Sequence, residues 1–495
     1  MNRLKKLSLL LVAMVMSLAF LQFKKIEKVQ PIAADPEKIY TEKCASCHGE
    51  KVEAFVDRKW KHGNKKEDLV KSITNGYPDY GMPTWNEAIP AKDIEALADL
   101  IVEGLKTVEQ YSFTKDKKKV EGPAIFKSEG MTVLLDTVVS GLNSAWGLAQ
   151  LPDLNFLVTD KSGTLYHVDN NKNKTAITGT PEVLAEGQGG MLDVVIHPKY
   201  AENGWVYISY SKPKMVDGKK QGTTAVVRGK IKDGAFVEQL EVFEGYPFTT
   251  TKQHYGSRLV FDKKGFLFIS MGERGQEKIF PQDITTAPGK IHRIKDDGSI
   301  PADNPFVGKD KAIASIYTYG NRNPQGMAMD PATGLIWENE HGPRGGDELN
   351  IIKAGTNYGW PVISYGINYD GKPITPISKK EGMQQPVTYW IPSIAPSGLA
   401  FVTGDKYPAW KGSLMVGSLR FSYLNRCIMK DNKVVGEEKL LLNIGRLRNI
   451  EMGRDGYLYV SVESPGNVFR LMRSNNRPFY KTAKGDSQLR IPFAY

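Results

Sequence analysis

Cysteine is scarce, at three in 495 residues, which excludes a disulfide-stapled scaffold. Histidine is nearly as scarce, with seven. The net charge of +11 comes with basic residues spread along the chain and with no helix-turn-helix or finger pattern, which argues against a nucleic-acid partner. Such a surplus suits a polyanionic cofactor or an acidic membrane surface. Hydrophobic residues at 41% and charged residues at 24% exclude a disordered chain. What is plentiful is turn-forming: 48 Gly and 28 Pro favour a β-rich fold over a helical bundle. The length corresponds to about three ordinary domains, unless one propeller or barrel absorbs most of it.

The one long apolar run lies at the start. Arg3, Lys5 and Lys6 precede Leu7–Phe23, and Lys24 and Lys25 follow. A basic segment before an apolar one marks a secretory signal. No clean small-x-small cleavage triplet follows it, and the run is short for a span of about 20 residues. Residues 1–30 therefore read as a cleaved signal or an N-terminal membrane anchor. No Cys ends the run, so lipid is not attached there. The rest of the chain is expected to be exported, into a periplasm.

Cys44-Ala45-Ser46-Cys47-His48 is a CxxCH motif. Two thiols at this spacing bond the two vinyl groups of one haem, and the adjacent His ligates the iron. Zinc would require further Cys or His at close spacing, and His62 is a poor candidate. A sixth iron ligand is expected from Met82, in the loop Gly81-Met82-Pro83. Helices are expected at Pro36–Ala45, Lys65–Thr74 and Ala91–Gly104, the last with Ile94, Leu97, Ala98 and Ile101 at helical spacing. Residues 32–108 thus resemble a small all-α class I cytochrome c carrying haem c. A charged linker, 109–123, follows.

From 124 to 473 one pattern recurs: an apolar strand, a polar turn, then a β-branched or aromatic strand. Its copies are Gly147–Asp160, Asp193–Tyr210, Arg258–Glu273, Gly326–Glu340, Gly398–Ser418 and Asn449–Glu463. Alternating apolar positions suit half-buried strands, and repetition at this period marks a β-propeller. The expected fold is therefore an all-β six-bladed β-propeller beside the small helical domain. A pair of β-sandwiches is the alternative. The polar tail 474–495 is expected to be loosely attached, and Cys427 to be a buried strand residue.

Chemistry-bearing residues fall at the strand boundaries, where propeller loops converge. They include Gln188 in a Gly-rich turn, His254 and Arg258 before the third copy, Arg322, Asn323 and Gln325 opening the fourth, and His341–Asn350 closing it. Arg420 ends the fifth copy, and Arg446 and Arg448 open the sixth. Several cations, amides and a histidine at one channel mouth suit a flat, multiply carboxylated ligand, because arginine forks pair with carboxylates bidentately.

Residues 130–473 resemble the soluble pyrroloquinoline quinone (PQQ)-dependent aldose dehydrogenases of the glucose/sorbosone dehydrogenase group. The resemblance is carried by GQGGMLDVVIHPKY, HYGSRLVFD, YGNRNPQGMAMDP, HGPRGGDELN and GRLRNIEM. It implies that His254 is the general base for the sugar's anomeric hydroxyl while hydride leaves C1 for the quinone. It makes Glu273 the carboxylate that orients this base, at a position where the family often has Asp. Gln188 would sit beside substrate and quinone, and Arg322 would stabilise charge arriving on the quinone. Asn323, Gln325, Arg446 and Arg448 would bind the cofactor, and Arg420 stands where the family usually has Lys. Ca²⁺ would bridge the cofactor to the carbonyls of Gly342 and Pro343. A second Ca²⁺ would take the Glu348 carboxylate and the Tyr358 carbonyl. Trp360 and Tyr365 are candidates for the sugar site. With Cys44, Cys47, His48 and Met82 holding haem, the expected activity is oxidation of an aldose to a lactone, with electrons passed through the haem to an external respiratory acceptor. A calcium-dependent propeller hydrolase and a non-catalytic sugar sensor are the alternatives from other classes. No nucleic acid is expected, and membrane contact only through the N-terminal segment.

Overall fold

The computed structural model describes residues 35–48, 52, 60, 62–78, 82–106, 125–369, 372–463 and 465–474. The expected signal or anchor at 1–30, the linker 109–123 and the tail beyond Ser474 lie outside the described residues, as do Gly81 and the side chain of Cys47. These residues divide into an N-terminal helical unit and a C-terminal β unit.

In the helical unit, Asp35 caps the helix Pro36–Ile39 by accepting from Glu37 N, with proline at the first turn, where its missing N–H costs no helix bond. A π turn, Tyr40–Cys44, continues into Ala45–His48. Lys66–Asn75 and Ala91–Leu105 follow. The latter buries Ile94, Leu97, Ala98 and Ile101, the stripe that its 3.6-residue period predicts. No helix among the described residues is long and apolar enough to cross a membrane.

The β unit is a ring of six antiparallel sheets. Their inner strands are Ala145–Gln150, Met191–Ile196, Leu259–Phe261, Pro324–Met329, Pro396–Phe401 and Leu447–Met452, which define blades 1 to 6. Each inner strand touches the next, and that of blade 6 touches that of blade 1, so the ring is closed. Blade 6 is completed by Met131–Val139 and Ile125–Ser128 from the start of the unit, paired onto the last strand, Asn467–Arg473. The sequence copies fall on the two innermost strands of the six blades. Blade 3 also gains a short parallel strand, Thr356–Asn357.

Two devices hold the ring. Apolar clusters fill all six blade interfaces, as with Trp337, Leu349, Leu414 and Cys427 between blades 4 and 5. Truncating one such large side chain costs about 2–5 kcal/mol. Nearer the axis, small polar side chains donate to the next blade's backbone: Thr159 to Leu192 O, Ser209 to Ser257 O (2.6 Å), Ser270 to Pro324 O (3.2 Å), Asn339 to Ser397 O (2.9 Å), Ser397 to Leu447 O (2.6 Å) and Ser461 to Ala145 O (3.0 Å). Gly326 and Gly398 are the third residues of their inner strands, where a Cβ would meet the neighbouring blade's backbone at 2.1 and 2.5 Å.

Candidate functional site

Five of the six inner strands start with a β-bulge. A bulge adds one residue and re-aims its side chain. Gln325 is the extra residue of blade 4 and Arg448 that of blade 6, and the two are joined by a 2.7 Å hydrogen bond from Arg448 to Gln325 Oε1. Side chains remote in sequence thus meet over the axis.

His254 precedes blade 3 in a loop and adopts a left-handed backbone, φ 54°. Its side chain is 11% exposed, and Nδ1 lies 2.7 Å from Glu273 Oε2. Glu273 is 2% exposed and also accepts from Gly275 N at 2.6 Å. The backbone N–H of His254 donates to Gln188 Oε1 (2.7 Å), while Gln188 N donates to Lys252 O (2.7 Å). With Nδ1–H given to the carboxylate, Nε2 keeps its lone pair. Burial, then the charge of Arg322, lowers the His254 pKa below its usual value, against the pull of Glu273. Burial alone would raise Glu273, but the hydrogen bond and charge of His254 and the charge of Arg322 outweigh it and hold the carboxyl low. A neutral imidazole on an ionised carboxylate is the arrangement of a poised base.

Arg322 is fixed at both ends. Its N–H donates to Glu340 Oε2 (2.5 Å), and Nη1 donates to His341 O (3.0 Å) and Gly342 O (2.8 Å). Among the described residues its Nε is buried without a partner, and its guanidinium lies 5.1 Å from the Trp360 ring centre. Asn323 Oδ1 accepts from Gly256 N (3.3 Å) and Gln325 Nε2 (3.1 Å). Arg448 Nε donates to Glu463 Oε1 (2.7 Å), and Arg446 Nε to Glu463 Oε2 (2.9 Å). Burial opposes ionisation of Glu463, yet Arg448 and Arg446 bring its pKa down to about 2. Arg446 also donates to Leu419 O (3.2 Å), beside Arg420. Arg420 itself donates to Ser393 O (3.1 Å).

A cavity is lined by Arg322, Gly342, Glu340, Glu348, Tyr358 and Trp360, among others. Trp360 thus lies beside Arg322 and Glu348 in this cavity. Tyr365 stacks on Tyr389 at 3.9 Å and its hydroxyl donates to Gln385. Burial, together with the charge of Glu340, raises the Glu348 pKa well above the usual range; burial also lifts Glu340, to about 7. Glu338 Oε1 beside them is buried and unpartnered. This oxygen-rich, charge-starved set fits a hard cation on Glu348. Among the described residues, no three His, Cys, Asp or Glu side chains are placed to hold a metal, so such a site would lean on carbonyls such as that of Tyr358. At Gly342 and Pro343 the donors are also carbonyls, but Arg322 already donates to Gly342 O, so a cation there would have to share it.

Residues 142–471 match the family described as Glucose / Sorbosone dehydrogenase. The chain belongs to that family. It is similar to aldose sugar dehydrogenase YliI of Escherichia coli (strain K12), 43% identical over 353 residues that cover 70% of this chain and 94% of that one. The structure of the soluble aldose sugar dehydrogenase from Escherichia coli in the apo-form superposes with a TM-score of 0.66 at 40% identity, covering 69% of this chain and 100% of that one. The PQQ-bound form of the Streptomyces coelicolor aldose sugar dehydrogenase gives 0.57 at 29% identity, covering 71% and 99%. Residues 31–101 match the family Cytochrome C oxidase, cbb3-type, subunit III. A glucose/sorbosone dehydrogenase propeller is therefore fused to a cytochrome c domain.

In that domain Cys44 ends the π turn and His48 ends the helix after it. Met82 is held by two backbone hydrogen bonds with Tyr77, of 2.8 and 3.1 Å. His62, for which the sequence offers no role, stacks on Tyr77 at 4.1 Å.

Sequence reasoning missed Glu463 and Glu340. A signal existed. Four copies end in an acid, and each acid accepts from the entry loop of its own blade: Asp160 from Asn143 N (2.8 Å), Glu273 from His254, Glu340 from Arg322 and Glu463 from the arginine pair.

Proposed function

We propose that this protein oxidises aldose sugars at C1 to lactones with PQQ as its cofactor, and that its own c-type haem relays the electrons to an external respiratory acceptor. The reading rests on one observation above all: the His254–Glu273 pair, at 2.7 Å, stands in the same loop cluster as the Asn323–Gln325–Arg448 chain.

The residues fit the cofactor. Arg322, Arg446 and Arg448 offer guanidinium forks to carboxylates and carbonyls, and the buried, unpartnered Nε of Arg322 is a donor awaiting an acceptor. Asn323, Gln325 and Arg420 would complete the cradle. When bound, PQQ supplies the hydride-accepting quinone. The chain's part is to hold the sugar and move its proton. His254 Nε2 takes the proton of the C1 hydroxyl as hydride leaves C1, and Glu273 steadies the imidazolium that forms. Gln188 ties its loop to His254 and faces substrate. Arg322 offers positive charge to the electrons arriving from the sugar. Ca²⁺ would be held at Gly342 and Pro343 and, separately, at Glu348 and Tyr358. Cys44, Cys47, His48 and Met82 would hold the haem, and tethering raises its effective concentration as electron acceptor. Export to the periplasm fits this chemistry.

The test is reconstitution with PQQ, Ca²⁺ and glucose, following the haem α-band and an added dye. Haem reduction that depends on both sugar and PQQ supports the reading. Sugar turnover that never reduces the haem would remove the relay; no turnover across a panel of aldoses would remove the whole proposal.

A further inference from the structure

Beside the base sits a buried cation that the chemistry above does not use. Arg274 is 0% exposed, and among the described residues no carboxylate pairs with its guanidinium. A buried charge with no carboxylate in direct contact is costly, so its contacts carry information. Nη1 donates to Gln253 O, Nη2 donates to Thr251 O at 2.5 Å, and the guanidinium lies 3.3 Å from the Tyr255 ring centre. The chain returns the contact: Thr251 Oγ1 donates to Arg274 O at 2.6 Å, and Arg274 N donates to His254 O at 3.4 Å. Arg274 thus grips the loop on both sides of His254. That loop is helped by the grip, because the left-handed backbone of His254 is uncommon for any residue but glycine and is held by its neighbours. The next residue, Gly275, is in the same embrace: a Cβ there would lie 2.4 Å from Gln253 Nε2.

We propose that Arg274 is a positioning residue for the reaction, locking residues 251–255 so that His254 presents Nε2 to the sugar's C1 hydroxyl. The inference rests on the reading of His254 as the base. A second consequence follows from charge. His254 faces Glu273, which favours its protonation, and Arg322 and Arg274, which oppose it; the nearby His341 is kept uncharged by burial. Removing the Arg274 charge moves the imidazole toward protonation.

The experiment uses the full-length, haem-loaded, PQQ-saturated enzyme with Arg274→Met and Arg274→Lys, each alone and with His254→Ala. In Arg274→Met, kcat falls about 10- to 100-fold, the size expected from a misplaced reacting group. KM for sugar and the PQQ affinity, read by fluorescence titration, change by less than about threefold. The acid limb of the kcat/KM profile moves to higher pH, and Arg274→Lys recovers part of both changes. In the His254→Ala background the Arg274→Met loss largely disappears, because both act through one imidazole. Wild-type kcat with an unmoved pH profile overturns the proposal. So does a loss of equal size in the His254→Ala background, or one that tracks weakened PQQ binding, since either means general loosening of the fold. A wild type that binds PQQ but turns over no aldose overturns the function itself, which separates the two failures.

Discussion

Blades 3 and 6 build the same corner from different residues. In each, an acid at the end of the second strand turns back onto the blade's own entry loop: Glu273 onto His254, and Glu463 onto Arg446 and Arg448. The partner decides the outcome. Opposite Glu273 stands a titratable ring that burial keeps neutral, so the corner can accept a proton. Opposite Glu463 stand two permanent cations, so the corner holds fixed charge and its acid is ionised down to about pH 2. On the proposed function, one scaffold position serves proton transfer in one blade and anion binding in another. The acid is the constant, and its partner sets the chemistry.

The comparison can be broken by removing each partner. His254→Ala is expected to reduce kcat about a thousandfold while leaving PQQ affinity near wild type, in a fluorescence titration paired with dye-linked turnover. Arg448→Met is expected to do the reverse, weakening PQQ binding about 10- to 100-fold, the worth of a lost charged hydrogen bond, with kcat at saturating PQQ much less affected. If both variants lose binding and turnover alike, the corners do not divide the labour.

Changing the acids sharpens the contrast. Glu273→Gln removes a group that favours protonation of His254, so the acid limb of the pH–rate profile moves to lower pH, opposite to the shift from Arg274→Met. Turnover also falls about tenfold as the ring loses its anchor. Glu463 acts on stability. Its folded pKa lies below the ordinary 4.5, so its contribution is complete above about pH 4.5 and is lost as pH falls toward 2. Acid unfolding of Glu463→Gln, followed by circular dichroism, is expected to depend less steeply on pH in that window. This effect is the smallest, because other carboxylates titrate there too.

How much of this was legible depended on the kind of signal. The six strand pairs could be read because alternation and turn residues are local, and because repetition confirmed each copy. The polar ring from Thr159 to Ser461 went unread, since each member is an ordinary strand residue until its neighbouring blade is in place. The bulges at Gln325 and Arg448 were invisible for a related reason: one inserted residue leaves no compositional trace, yet it turns a side chain from one face to another. Simple alternation along a strand would put Arg446 and Arg448 on one face. They do converge on Glu463, but through the bulge. Arg274 carried no signal at all, because what it does depends on a loop twenty residues earlier. In the helical unit the periodic stripe gave the helices their places, whereas the π turn at Tyr40–Cys44 gave no warning in the pattern.

The closure of blade 6 bears on how the molecule comes into being. Ile125–Ser128 and Met131–Val139 can find their seats only when Asn467–Arg473 has been made, more than three hundred residues later. A chain synthesised from its N-terminus therefore has the CxxCH segment clear of the machinery while the toroid is still an open arc. On the proposed function, haem attachment at that segment does not have to wait for the toroid to be sealed.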